Sequence, residues 1–428
     1  MSDFKTTSWH FRTKFFMDIK LIWQKNYKKI APILILVAIA LIGHFIFPIT
    51  EKDTQKIKEN IVALVVEKPI VKKETQKDSS QDIALKEKIG QMLILGFRGT
   101  TFQKNSFISN AISNLKIGGI VLFDYDVPSG IFPRNITDPS QLKKLILDLQ
   151  KQSSTPLLVS IDVEGGFVNR LKPKYGFMEI PSAQKLGESS PDNTYQIAKQ
   201  LGAQLKNLGI NFDFAPVVDL NINPQNPVIG KIERAFGSDP NMVISHAESF
   251  IKGLTENKII SSIKHFPGHG SSKTDSHLGI TDITTTYQAI ELVPFQELIK
   301  KNITPTVMVA HTFNKNLDAD YPASMSKNTI QGTLKDLLNF KRVVVCDDLS
   351  MGAVSQNYGL TEAAVKMAEA GCDLIIISNN VTTYDESLPQ KVVEAIYKAT
   401  KEGSLSTSSI EASYNKIINL KKDFDIIK

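Results

Sequence analysis

Cysteine is nearly absent: Cys346 and Cys372 are the two in 428 residues. That excludes a disulfide-built scaffold and a cysteine-rich zinc site. Charge of one sign is missing from most of the chain as well. The formal net charge of +6 gathers at the front. There, residues 1–29 hold Lys5, Arg12, Lys14, Lys20, Lys25, Lys28 and Lys29 against Asp3 and Asp18. From residue 83 onward the chain is nearly neutral, so its basic balance is no argument for nucleic acid. Long apolar runs are lacking except in one place, which excludes a multi-span membrane protein. Neither GxGxxG nor GxxxxGK[ST] follows an early strand, so a phosphate-cradling loop is missing too. What remains is ordinary globular composition, 42% hydrophobic and 22% charged.

The one long apolar run is Ile30–Ile49, IAPILILVAIALIGHFIFPI, with no charged residue. At a rise of about 1.5 Å per residue, such a run spans about 30 Å, a hydrocarbon core. Pro32 falls in the first turn, where a missing N–H costs little. A cleavable signal peptide would have a shorter front and small residues at the cleavage site. Here Phe47-Pro48-Ile49-Thr50 follows instead. The expectation is an uncleaved single-pass anchor, with the basic residues 1–29 cytoplasmic and everything after Thr50 extracytoplasmic. Residues 50–82, rich in Lys and Glu around the patch Ile61–Val66, read as a solvated linker. A folded domain occupies 83–428.

Within that domain, short β-branched or apolar runs recur eight times: Met92–Phe97, Gly119–Phe123, Pro156–Asp162, Ile210–Asp219, Ile259–Lys264, Pro305–Ala310, Arg342–Asp347 and Leu374–Ser378. Most are continuous rather than alternating, as parallel strands buried on both faces require. Helical stretches separate them: Leu142–Gln152, Asn193–Leu208, Asn241–Asn257, Thr286–Lys300, Asn328–Asn339 and Leu360–Ala370, with Lys391–Lys401 and Ser408–Leu420 at the end. Eight strand–helix units predict an α/β fold, a single (β/α)8 barrel. An open doubly wound sheet would want the phosphate loop that is missing.

The strand ends are polar. The third run ends in Asp162 and continues through Glu164 to Arg170; the fourth ends in Asp219, the fifth in Lys264-His265, the sixth in His311 and the seventh in Asp347-Asp348. One such residue would be a helix cap. Five strands delivering ionisable groups to the face where barrel enzymes build their sites predict a catalytic centre. Carboxylates, imidazoles, a lysine and an arginine suit a ligand with many hydroxyls.

The loop after the fifth strand carries three of the seven histidines, in Lys264-His265-Phe266-Pro267-Gly268-His269-Gly270 and Asp275-Ser276-His277. His265 and His269 are four apart, but Pro267 and Gly268 break the helix that would place both on one metal, so no metal is expected. Asp275 and His277, two apart in an extended loop, can point the same way. Asp275 can then accept from one imidazole nitrogen, fix the tautomer and leave the other as a proton shuttle.

These motifs, with Cys346-Asp347-Asp348-Leu349-Ser350-Met351, resemble the bacterial β-N-acetylglucosaminidases of glycoside hydrolase family 3. The resemblance runs from about Leu85 to Leu420 and includes Lys88-Ile89-Gly90-Gln91-Met92, Asp162-Val163-Glu164-Gly165-Gly166 and Arg234-Ala235-Phe236-Gly237-Ser238-Asp239-Pro240. It implies an exo-acting retaining glycosidase without cofactor, acting on amino-sugar glycans or muropeptides. By resemblance, Asp347 matches the nucleophile and His277 the general acid/base, paired with Asp275. Asp162, Arg170, Arg234, Lys264 and His265 match residues that hold sugar hydroxyls. The family usually has Ser or Thr where this chain has Cys346. Asp347 rather than Asp348 directly ends the apolar strand, and Asp348 suits support of the turn. Glu164 is the next acid/base candidate after His277. Two other readings stand beside this one. A family 3 β-glucosidase or β-xylosidase would take its acid from an added C-terminal domain, for which there is no room after Leu420. A sugar-binding protein with a dead site would not need both Asp347 and the Asp275/His277 pair.

Overall fold

The computed structural model describes residues 79–428, apart from 382. Eight strands form the centre: β1 Leu93–Gly96, β2 Gly119–Val121, β3 Leu158–Ile161, β4 Phe212–Asp213, β5 Ile260–Phe266, β6 Thr306–Val309, β7 Val343–Cys346 and β8 Leu374–Ile377. Each pairs in parallel with its neighbour in sequence, and β1 pairs with β8 from Leu93↔Ile375 to Leu95↔Ile377, which closes the barrel. All eight lie on the runs expected from the sequence. Their residues are apolar on both faces because both faces are covered; every residue of β1, β2, β3, β7 and β8 is buried. Strand β4 is shorter than its apolar run. Ladder bonds continue past it, from Phe214 N–H to the Ile161 carbonyl and from Ser262 N–H to the Ala215 carbonyl (both 2.9 Å). Pro216 has no N–H to give, and the next donor on the run is Val218, to the Lys264 carbonyl at 2.9 Å.

The helical layer begins with α1 Ser80–Gln91 and continues with α2 Pro139–Gln152, α3 Pro191–Leu208, α4 Pro240–Thr255, α5 Val293–Lys300, α6 Leu360–Ala370, α7 Leu388–Glu402 and α8 Thr407–Asp423. Three of them start alike. Proline fills the first helical position, and Asp138, Ser190 or Asp239 before it accepts from backbone N–H groups of the first turn. Helix α1 was not anticipated. It buries only Ile89, Gly90 and Gln91, so its sequence carries little periodicity; a capping box between Ser79 and Asp82 starts it. The stretch expected as helix over Asn328–Asn339 is a π-helix over Asn328–Leu337.

Two further ties hold the barrel together. Arg134, fully buried, donates to the carbonyls of Phe97 (3.0 Å), Ser378 (3.0 Å) and Asn379 (3.1 Å) and to Asn380 Oδ1 (2.8 Å), and it pairs with Asp126. A buried guanidinium left unpaired would cost several kcal/mol, so this satisfied set holds the chain after β2 to the ends of β1 and β8. Cys346 and Cys372 form a disulfide with Cα atoms 5.8 Å apart. The sequence reading excluded a disulfide-built scaffold, and a single bridge inside a large apolar core is a different object.

One expectation is corrected. Among the described residues the fold is the eight-stranded barrel and the expected transmembrane helix is not found: none of their helices is long and apolar enough to cross a membrane. The single-pass localisation with an extracytoplasmic catalytic domain rested on that span and is corrected with it. The segments 1–29 and 30–49, on which those expectations fell, lie outside the described residues, as does nearly all of 50–82.

Candidate active site

At the C-terminal ends of the strands the side chains that point into the barrel line a pocket of about 250 Å³. Asp162, Arg170, Arg234, Lys264, His265, Asp275, His277 and Asp347 all line it, together with apolar groups such as Phe123, Phe214, Val228 and Met308. The eight residues that the resemblance assigns to the site are therefore brought to one place, whereas Glu164, Asp219, His311 and Asp348 do not line it.

The charged wall is built from β3 and β5. After Asp162 the chain forms a hairpin, Val163–Gly165 against Val168–Asn169. Gly165 and Gly166 have φ of 96° and 56°, the left-handed region where a side chain would be strained. That turn brings Arg170 back to within 3.8 Å of Asp162. Lys264 Nζ donates to Asp162 Oδ1 (2.9 Å) and pairs with Glu164 Oε1 (2.6 Å). Arg234 grips Glu164 with two bonds, Nε to Oε2 (2.7 Å) and Nη2 to Oε1 (2.8 Å), and gives Nη1 to the Val228 carbonyl (2.7 Å). Burial pushes both carboxyls up, but the cations outweigh it. Lys264 and Arg170 hold Asp162 below the usual carboxylate range, and Arg234 and Lys264 hold Glu164 far below it. Glu164 thus stays ionised and fully engaged. That is the environment of a structural carboxylate rather than of a proton donor.

Asp219, at the end of the fourth run, was noticed from sequence only as one ionisable strand end. In the structure it is completely buried, and its Oδ2 lies 2.7 Å from His265 Nδ1. Burial and the neighbouring Arg234 keep His265 well below its ordinary pKa, so the imidazole is neutral. Nδ1–H then donates to Asp219, and Nε2 accepts from Arg234 Nη2 at 3.1 Å. The signal for Asp219 lay in Pro216-Val217-Val218-Asp219, but its partner is 46 residues away.

Opposite stands β7. Asp347 follows its last residue, and its backbone N–H donates to the Val309 carbonyl at 3.1 Å. Burial raises its pKa, but the neighbouring His311 and the bond from the Asp348 backbone N–H help to outweigh this, so it rests below the ordinary value and ionised. Asp348 lies elsewhere. Its Oδ1 accepts from Ser350 N–H (3.1 Å) and Ser378 N–H (2.8 Å), Ser378 Oγ–H bonds its Oδ2, and burial pushes its pKa up. His311 supports the same turn, donating Nε2–H to the Asp348 carbonyl at 2.9 Å while Ser324 Oγ sits 2.7 Å from Nδ1.

The third component is the loop after β5. Asp275 Oδ1 lies 2.8 Å from His277 Nδ1 and also accepts the His277 backbone N–H at 2.8 Å. Burial raises the Asp275 pKa, yet the bond from His277 brings it below the usual value. This leaves His277 Nε2 without a protein partner among the described residues. No group of three or more His, Cys, Asp or Glu side chains among them is placed to hold a metal ion. The His265/His269 pair is accounted for by other bonds, with both ring nitrogens of His269 facing serine hydroxyls.

An ionised carboxylate and a carboxylate-oriented imidazole facing one polar, sugar-sized pocket can perform nucleophilic and acid–base steps on a bound ligand. Comparison with known proteins agrees. Residues 84–420 match the family model described as "Glycosyl hydrolase family 3 N terminal domain". A β-hexosaminidase of Nitrosomonas eutropha is 34% identical over 307 residues, which cover 69% of this chain and 83% of that protein. The β-hexosaminidase LpqI of Mycobacterium tuberculosis is 32% identical over 348 residues, 78% of this chain and 82% of the relative. Among solved structures, a β-N-acetylglucosaminidase of the same family from Paenibacillus superposes with a TM-score of 0.73 at 33% identity, covering 80% of this chain and 63% of that one. A β-N-acetylhexosaminidase from Beutenbergia cavernae does so with a TM-score of 0.68 at 26% identity, covering 79% of this chain and 98% of that one.

Proposed function

Since the chain belongs to glycosyl hydrolase family 3, we propose that it is an exo-acting, retaining β-N-acetylglucosaminidase that removes terminal β-linked N-acetylglucosamine from cell-wall fragments or related amino-sugar glycans. One observation carries the reading: Asp347 and the Asp275–His277 pair share a pocket of about 250 Å³, room for one sugar ring. In this reading Asp162, Arg170, Arg234, Lys264 and His265 hold the sugar hydroxyls. The Asp347 carboxylate attacks the anomeric carbon while His277, protonated on both nitrogens beside Asp275, gives its Nε2 proton to the leaving oxygen. The glycosidic C–O bond breaks, and a glycosyl ester forms on Asp347. The neutral His277 then takes a proton from water, whose oxygen displaces Asp347 and restores the β configuration. Asp275 holds Nδ1–H throughout, so the same nitrogen acts in both steps.

The test is an assay with an aryl β-N-acetylglucosaminide and an aryl β-glucoside, each with and without phosphate. Free N-acetylglucosamine released from the first substrate without phosphate is the expected result. Equal or faster turnover of the glucoside would overturn the assignment.

A further inference from the structure

The loop bearing the acid–base pair is pinned from two sides. Ser276, between Asp275 and His277, is buried at 3% exposure although His277 beside it is largely open. The Ser276 carbonyl accepts from Ala353 N–H (3.1 Å) and the His277 carbonyl from Gly352 N–H (3.0 Å), both in the segment that follows the Asp347 turn. A Cβ on Gly352 would come within 2.5 Å of the His277 carbonyl oxygen, so the two segments meet at backbone distance.

The other side is His269. Its Nδ1 lies 2.8 Å from Ser272 Oγ and its Nε2 3.2 Å from Ser276 Oγ. Ser272 Oγ already accepts from Asn226 Nδ2 at 3.0 Å, so its own proton is free for His269 Nδ1. Both serine hydroxyls can donate or accept, so in either tautomer the His269 ring gives one of these bonds and takes the other. Burial lowers the pKa of His269 to about 4, so it keeps this neutral, one-donor and one-acceptor form near neutral pH. Its backbone N–H donates to Asp219 Oδ1 at 2.8 Å, while Oδ2 of the same carboxylate takes His265 Nδ1–H.

We propose that His269 is a positioning residue for the acid–base pair: through Ser276 it fixes where Asp275 and His277 stand, and through Asp219 it registers them against the sugar-binding wall. The inference rests on His277 acting as acid and base. His269 itself does not line the pocket.

The experiment uses Ser276→Ala, Ser276→Thr, His269→Ala, the double alanine variant and His277→Ala as reference. Steady-state and burst kinetics are measured with phenyl and dinitrophenyl β-N-acetylglucosaminides. Misplacement of a catalytic group by about 1 Å costs on the order of 100-fold. Ser276→Ala should therefore lose about 10- to 100-fold in kcat on the phenyl substrate, with KM little changed and the dinitrophenyl burst preserved. Ser276→Thr should restore rate, and the double variant should lose no more than the worse single one. Equal losses on both substrates, additive losses or no loss would overturn the proposal. Should His269→Ala fail to fold, the Ser276 pair decides alone. A leaving-group effect in His277→Ala without one in Ser276→Ala sinks only the positioning role. Its absence in His277→Ala sinks the acid–base reading and the positioning role together.

Discussion

Asp347 and Asp348 are the same residue type, adjacent in sequence, and their surroundings set them apart. Asp348 engages its oxygens with Ser350 and Ser378, whereas among the described residues Asp347 accepts only the Asp348 N–H, and it lines the pocket. Asp347→Asn keeps the shape and removes the attacking charge, so turnover should fall by several orders of magnitude. A slow fluorosugar should label Asp347, as read by mass spectrometry of the digested protein; label on Asp348 would reverse the assignment. His277→Ala should tell acid from base. It should cripple substrates with poor leaving groups, while a nitrophenyl substrate still forms the glycosyl-enzyme in a burst and then turns over slowly. Azide, which needs no base, should restore rate and yield a β-glycosyl azide. If good and poor leaving groups suffer alike and azide rescues nothing, the role passes to another residue. Glu164, held between Arg234 and Lys264, is poorly suited to inherit it.

At the scale of elements, the eight strands were legible because burial on both faces leaves a continuous apolar run. By contrast, three helices expected from Leu142, Asn193 and Asn241 begin earlier, at Pro139, Pro191 and Pro240, because their first turns are set by a cap and a proline rather than by apolar residues. Other features depended on partners far along the chain. Asp219 gains its meaning from His265 and His269, and the acid–base loop is held by Gly352 and Ala353, some 75 residues further on. Helix α1 was hidden for a different reason, having almost no buried face of its own to display.

Helix α8 supplies a pH test. Lys421 on it is fully buried and donates to Gln91 Oε1 at 2.9 Å, and burial lowers its pKa to about 7. In the unfolded chain a lysine titrates near 10.4, so between these values the unfolded state binds the extra proton. Folding stability should then rise with pH from about 7 to about 10, by at most about 1.4 kcal/mol per pH unit from this group. Below pH 7 the penalty is present in full. Lys421→Met should remove that slope, gaining most over the parent at pH 7 and least near pH 10. Denaturant melts across this range decide it; parallel stability curves for the two proteins would refute the buried-lysine account.

At the scale of the whole molecule, chain order and spatial order coincide, since each strand lies beside its sequence neighbour and the last beside the first. Such a topology is readable from a count of strand–helix units, and only its closing seam needs contacts that no local pattern announces. Arg134 supplies a tie there, and the Cys346–Cys372 bridge joins the end of β7 to the segment before β8; the sequence disclosed neither. The bridge also makes a covalent ring. Its 26-residue separation encloses Asp347, the two backbone donors that pin the acid–base loop, and helix α6. Within the ring, residues 356 and 357 are exposed just before α6. A protease cutting there would open the backbone without parting the pieces: the nicked protein should migrate as one species on a denaturing gel without reductant and as two with it.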